Sequence, residues 1–157
     1  MVKLLRIDDR LLHGQVAFAW TKSLGVEAIV VANDDVVKDD LIKMSIKMAA
    51  PPEVKLAIRS IDDAVKLIEH PKTQDMSLFV VVRTAKDALR LAEKTDLIQH
   101  INVGGIKKEE GKQMLTRAVF VSDEDIQIFN QLSEMGREVE LRQVPTDSKK
   151  YIHELLK

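Results

Sequence analysis

Ile7-Asp8-Asp9-Arg10-Leu11-Leu12-His13-Gly14-Gln15 is a charged connection set between two apolar elements. The run before it, Val2 to Ile7, reads as a buried strand. The run after it, Val16 to Leu24, reads as a helix with Val16, Trp20 and Leu24 on one side. A strand–loop–helix step of this kind in a parallel α/β protein opens at the carboxyl edge of the sheet, where ligands bind and chemistry is done. His13 therefore stands where a functional side chain is expected.

Beyond this stretch, apolar β-type runs alternate with helical patterns almost to the end, which predicts a parallel sheet with helices on both faces. Glu27 to Ala32 reads as strand two, nearly continuous apolar and so buried on both faces. Asn33-Asp34-Asp35 is turn chemistry. A helix is expected over Lys38 to Ala49, with Leu41, Met44 and Met48 at helical spacing, stopped by Pro51-Pro52. Val54 to Ile58 reads as strand three, and Ser60 as the N-cap of a helix that places Ile61, Ala64, Val65 and Ile68 on one face and ends at Pro71. Met76 to Val82 is strand four, and Thr84 caps a helix running to about Lys94. Ile98 to Val103 is strand five, followed by the tight turn Gly104-Gly105. Ile106 to Met114 reads as a charged surface connection and Thr116 to Val121 as a further strand. Ser122 with three acids opens a helix that Gly136 closes. Glu138 to Val144 reads as a last strand with alternating charges, suited to an edge, and Tyr151 to Leu156 as a short terminal helix.

The 157 residues suffice for one domain with a sizeable core. The 24 basic and 25 acidic residues give no excess that would point to nucleic acid. With no cysteine, disulfides, thiolate catalysis and cysteine-held metals are excluded. No run is long enough to span a membrane, and the N-terminal apolar stretch is interrupted by Lys3 and Arg6, so the expected location is the cytoplasm.

The loop chemistry suggests phosphoryl transfer. His13 and Gly14 stand at a helix start, where unpaired amides and the helix dipole favour an anion. Arg10 carries a planar fork suited to phosphate oxygens. Asp8 or Asp9 would accept the proton of one imidazole nitrogen and leave the other as nucleophile. No cofactor or metal is called for. The remaining histidines offer less: His70 precedes a proline, His153 lies in the terminal helix, and His100 starts strand five on the opposite edge from His13. Gly104 to Gln113 resembles a phosphate-binding loop only superficially, because five residues separate Gly105 from Gly111 and Gln113 replaces the required hydroxyl residue.

The string Ile7 to Val16, followed by Ala50-Pro51-Pro52-Glu53-Val54, Ile101 to Gly105 and Ala118 to Asp125, resembles the IIB component of the mannose/fructose/sorbose class of the sugar phosphotransferase system (PTS). The resemblance covers essentially the whole chain and implies one domain over residues 1–157. The implied fold is a three-layer α/β/α sandwich with a mainly parallel sheet of order 3-2-4-1-5-6, with room for an antiparallel edge strand. It implies that His13 takes a phosphoryl group from the phosphohistidine of the IIA component and passes it to a sugar entering through the membrane components IIC and IID. The location implied is the cytoplasmic side of that permease complex. Arg10 would stabilise the transferred group. Asp8, Asp9, Gly14 and Gln15 would organise the loop, and Thr84, Gly104 and Gly105, brought alongside by the strand order, become candidate phosphate contacts. Many relatives carry a second arginine where this chain has Ile42, which leaves Lys43 or Lys38 as substitutes. Leu11, Leu12 and Phe18 are candidates for an apolar docking rim. The competing reading is a signalling receiver domain using Asp8 and Asp9 with a metal and Thr84 as switch; it requires an aspartate at the end of strand three and a lysine at the end of strand five, where Arg59 and Gly104 stand. A third reading, a binding domain that has lost catalysis, leaves His13 and Arg10 without a purpose.

Overall fold

The computed structural model describes residues 1–156. In chain order the elements are β1 (Val2–Asp8), α1 (Gly14–Leu24), β2 (Ala28–Ala32), α2 (Asp40–Ala49), β3 (Lys55–Arg59), α3 (Ile61–Glu69), β4 (Leu78–Val82), α4 (Ala85–Lys94), β5 (His100–Gly105), β6 (Gln113–Thr116), β7 (Val119–Val121), α5 (Asp123–Glu134), β8 (Glu138–Leu141), β9 (Lys150–Tyr151) and α6 (Ile152–Leu155), with short 3-10 turns at Val36–Lys38 and Pro71–Thr73. The main sheet runs β3-β2-β4-β1-β5-β8-β9. Every pairing in it is parallel except the last, β8 with β9. With the β6–β7 hairpin set aside, this is the expected 3-2-4-1-5-6 order plus an antiparallel edge.

The strand alternation divides the core in two. Leu5, Ile7, Val30, Val80, Ile101 and Val139 face α3, α4 and α5 on one side. Leu4, Ile29, Val31, Phe79 and Val81 face α1 on the other, together with Leu11, Leu12, Trp20 and Ile46. β1, β2 and β4 are covered on both faces, which explains their near-continuous apolar sequence. The helix starts follow from their caps: Ser60 Oγ accepts from the amide of Asp63, Thr84 Oγ1 from that of Asp87, and Ser122 forms a reciprocal capping box with Asp125. Gly25 and Gly136 sit at φ +64° and +85° where α1 and α5 end.

Four sequence expectations need correction. The run Thr116 to Val121 is not one strand: Arg117 and Ala118 turn it into the β6–β7 hairpin, which stands off the main sheet. Glu138–Leu141 is not at the edge but lies between β5 and β9, because the charge of Glu140 is paired inside the protein. The terminal helix is confined to Ile152–Leu155, since Tyr151 pairs with Glu140 in the edge ladder. The spacing of Leu41, Met44 and Met48 does not mark the packed face of α2. All three are exposed and Ile46 alone is buried there, packed with Val36 of the adjoining 3-10 turn.

Candidate active site

Asp8 ends β1 with its side chain fully buried, and the site is assembled around its carboxylate. Oδ2 accepts from Arg6 Nη2 at 3.1 Å and lies 3.1 Å from His13 Nε2; Oδ1 accepts from the Arg10 amide at 3.0 Å. A carboxylate bound by a guanidinium and an amide offers only acceptors, so the shared proton resides on His13 Nε2. Nδ1 is then the imidazole nitrogen with the free lone pair, and among the described residues it has no hydrogen-bond partner. The ring is about one-quarter exposed (25%).

The loop reaches this geometry through its leucines. Leu11 and Leu12 bury their side chains under α1, and Leu11 adopts φ +58°, a left-handed conformation unusual for a branched residue. The bonds from Leu11 N to Asp8 O at 2.8 Å and from Asp9 N to Gly105 O at 3.0 Å tie both sides of the turn to the sheet. Such packing can hold a conformation costing on the order of 1–3 kcal/mol. Leu11 and Leu12 are therefore anchors of the loop. Phe18, half exposed, remains as the accessible apolar side chain of the three expected at a rim.

Arg10 projects from the same turn with 58% of its side chain exposed and its Nε 3.7 Å from Asp8 Oδ1. That leaves both terminal amino groups available to an incoming anion. His13 is the N-cap residue of α1 but makes no side-chain cap bond, and the first turn of α1 contains no acid. The first residues of α1, Gly14 and Gln15, are exposed, so the helix start that His13 opens is an anion-friendly one.

The other expected contacts sit differently. Asp9 does not touch His13; it lines a small cleft of about 120 Å³ with Arg83, Thr84 and Lys112. Thr84 caps α4 and shares that cleft. Gly104 and Gly105 face the buried acid and its partner: a Cβ on Gly104 would lie 2.0 Å from Arg6 Cζ, and one on Gly105 would lie 3.3 Å from Asp8 Oδ1. Lys43 pairs with Asp40 at 3.3 Å on α2, next to exposed Ile42, and Lys38 lies exposed in the 3-10 turn. His100 approaches Glu138 at the far edge of the sheet, His70 accepts from the Lys72 amide, and His153 stacks on Tyr151.

Sequence reasoning missed the residues behind Asp8. Arg6, only 2% exposed, donates from Nη1 to Asn102 Oδ1 at 2.7 Å. Asn102 Nδ2 donates to Glu140 Oε1 at 3.0 Å, and Arg142 donates to both oxygens of Glu140 at 3.1 Å. Trp20, expected in the core and found there, has the guanidiniums of Arg6 and Arg142 at 5.4 and 5.1 Å from its ring centroid. Burial pulls the Arg6 pKa below the ordinary arginine value, and Asp8 acts against that shift. The signal was in the sequence as three polar residues in phase: Leu5-Arg6-Ile7, Ile101-Asn102-Val103 and Val139-Glu140-Leu141, on strands that turn out to be neighbours.

The site thus combines a partly exposed imidazole, a buried carboxylate on its Nε2, an exposed arginine over the same carboxylate and a helix N-terminus opened by that histidine. Residues 2–157 match the family described as PTS system sorbose subfamily IIB component. The chain belongs to that family. It is 36% identical over 146 residues to the sorbose-specific EIIB component of Klebsiella pneumoniae, covering 93% of this chain and 89% of the relative. It is 35% identical to the mannose-specific EIIAB component of Escherichia coli, covering 99% of this chain but 48% of that longer protein. The crystal structure of the IIB domain of the Klebsiella pneumoniae sorbose permease superposes with a TM-score of 0.94 at 35% identity, covering 99% of this chain and 96% of that one. An N-acetylgalactosamine-specific IIB component from Escherichia coli superposes at 0.89 with 29% identity, covering 97% and 99%.

PTS IIB components are phosphotransferases that take phosphate from IIA and pass it to sugar, and they work within a system that also contains IIC and IID. The receiver reading is not supported. The Asp8 carboxylate is committed to Arg6 and His13, and β3 ends in Arg59. No described helix is long and apolar enough to cross a membrane.

Proposed function

We propose that His13 Nδ1 is the nitrogen that carries the phosphoryl group. The observation that carries the reading is the 3.1 Å contact between His13 Nε2 and Asp8 Oδ2, which leaves Nδ1 as the nucleophile. A donor phosphohistidine on a docked IIA component brings its phosphorus in line with Nδ1. The donor N–P bond breaks as the Nδ1–P bond forms, and the Nε2 proton stays on the ring facing Asp8. The imidazole is positively charged while phosphorylated, and the adjacent carboxylate compensates that charge. Arg10 and the first amides of α1 hold the equatorial oxygens through a loose transition state, so catalysis is chiefly positioning. In the second step a sugar hydroxyl oxygen attacks phosphorus, the Nδ1–P bond breaks and the hydroxyl proton is released.

A partly exposed ring at the start of α1 suits delivery by a protein surface, and half-exposed Phe18 on the same helix supplies an apolar side chain for that surface. Membrane partners IIC and IID would present the sugar, which places this domain at the cytoplasmic face of the permease. Relatives named for sorbose, mannose, fructose and N-acetylgalactosamine point to a hexose or an amino-sugar derivative.

The test is phosphorylation by phospho-IIA followed by bond-stability analysis. The expected label is acid-labile and base-stable and is absent from His13→Gln; Arg10→Ala is expected to lower the transfer rate by about 10²-fold or more without loss of fold. Labelling of His13→Gln, or a hydroxylamine-sensitive bond, refutes the proposal.

A further inference from the structure

We infer that the buried row Arg6–Asn102–Glu140, which spans three neighbouring strands, is a positioning device that fixes the protonation pattern of His13, with Glu140, two strands from β1, as its anchor. The inference rests on the reading of His13 as phosphoacceptor and extends it to residues that touch no substrate.

The row is set by sheet register. Arg6 is the cross-strand partner of Asn102, and Asn102 is the partner of Glu140. The apolar neighbours of all three residues point into the opposite core, so the three side chains share one face, beneath Trp20. An asparagine amide can be flipped without changing its shape, and its orientation is decided by what surrounds it. Here Nδ2 faces two acceptors, Glu140 Oε1 at 3.0 Å and the Arg142 carbonyl at 3.1 Å. Asn102 Oδ1 is thereby directed to Arg6 Nη1 at 2.7 Å, and Arg6 Nη2 to Asp8 Oδ2. Asn102 takes its polarity from its neighbours, whereas Arg6 can only donate and Asp8 only accept, so the row acts on His13 by holding the Arg6 fork, and through it the Asp8 carboxylate, in place against Nε2. The sequence carboxylate, amide, guanidinium, carboxylate, imidazole admits only one arrangement of donors, and it ends with the proton on Nε2.

Stability does not account for such a row. Two carboxylates, a guanidinium and an amide are withdrawn from water, and Arg6 Nε is left without a partner. Apolar residues of similar volume commonly serve as well or better in such positions. Space is also reserved for it, since any side chain on Gly104 would meet the guanidinium. Arg142 clamps the far end through both Glu140 oxygens and is held in turn by the Pro145 carbonyl and the face of Trp20. Trp20 donates to the Gln143 carbonyl at 3.1 Å, which links α1, whose N-cap is His13, to the same anchor.

The test compares wild type, Glu140→Gln and Arg6→Lys by ¹⁵N NMR of the His13 ring and by steady-state phosphorylation from phospho-IIA. Glutamine cannot accept from both Asn102 and Arg142 with both of its terminal atoms. Lysine keeps the buried charge but cannot bridge Asp8 and Asn102 as a planar fork does. The wild type is expected to show a single neutral tautomer, protonated at Nε2. Glu140→Gln is expected to show both tautomers and a kcat about 10- to 100-fold lower, with the KM for phospho-IIA within about twofold. Arg6→Lys should fall between them. A merely structural role would lower the folded fraction and leave the ring signals of the folded molecules unchanged. Should Glu140→Gln fail to fold, Arg6→Lys carries the comparison. A single Nε2–H tautomer and unchanged kcat in a folded variant overturn the inference while His13→Gln still abolishes labelling, and a mixture of tautomers in the wild type overturns it outright. Labelling of His13→Gln would instead overturn the proposed function.

Discussion

Replacing Gly104 with alanine tests the architecture behind the site with a single methyl group. The added carbon would lie 2.0 Å from Arg6 Cζ, 2.2 Å from Nη1 and 2.3 Å from Nη2. Ordinary van der Waals contact starts near 3.4 Å, so the guanidinium must withdraw by about 1.4 Å. Its bonds of 2.7 Å to Asn102 and 3.1 Å to Asp8 do not survive that displacement. The consequence is a buried carboxylate separated from its cation, which costs about 3–5 kcal/mol. A domain of this size is stable by about 5–15 kcal/mol and loses roughly 2–4 °C of Tm per kcal/mol. Gly104→Ala should therefore lower Tm by about 10 °C and reduce phosphorylation of the molecules that remain folded. The assay is thermal and urea unfolding of Gly104→Ala, Arg6→Met and the double variant. Once Arg6 has been shortened the methyl has room, and its further cost should fall below about 1 kcal/mol. A Gly104→Ala protein that melts within about 2 °C of wild type, or costs that simply add in the double variant, would refute the packing argument.

Three further outcomes are expected. Asp8→Asn leaves Arg6 as an unpaired buried charge and should destabilise by about 3–5 kcal/mol in urea while largely abolishing labelling of His13; wild-type labelling would contradict the role of Asp8. Asp34 has its pKa held below the ordinary carboxylate value by the Ile61 amide and by Arg90, so its contribution is complete above that value and lost as pH falls through the lowered one. Acid titration of stability should accordingly be shallower below about pH 4 in Asp34→Asn than in wild type, and equal slopes would exclude the linkage. Leu41→Ser and Met48→Ser, on the exposed face of α2, should each change stability by no more than about 0.5 kcal/mol, and a loss near 2 kcal/mol in the urea midpoint would show that the helix is packed after all.

Sequence alone determined the elements whose signals are local. Continuous apolar runs identified β1, β2, β4 and β5, because strands covered on both faces admit few polar residues. Ser60, Thr84 and Ser122 marked the starts of α3, α4 and α5, because a cap bonds within its own turn. His13 and Arg10 were visible because a charged loop between a buried strand and a helix has few structural reasons to contain them. Tertiary structure decided which neighbour each polar group meets. Asp8 and Asp9 are equivalent on paper, yet strand direction turns the first inward to Arg6 and His13 and the second toward the cleft of Thr84. Leu41, Met44 and Met48 have helical spacing, but periodicity marks a stripe without saying what packs on it, and here the stripe is exposed. Arg6, Asn102 and Glu140 are separated by 96 and 38 residues along the chain. Their charges and amide acquire a common purpose only when parallel pairing sets β1, β5 and β8 side by side, since a hydrogen bond is governed by distance in space and sequence separation is silent about it.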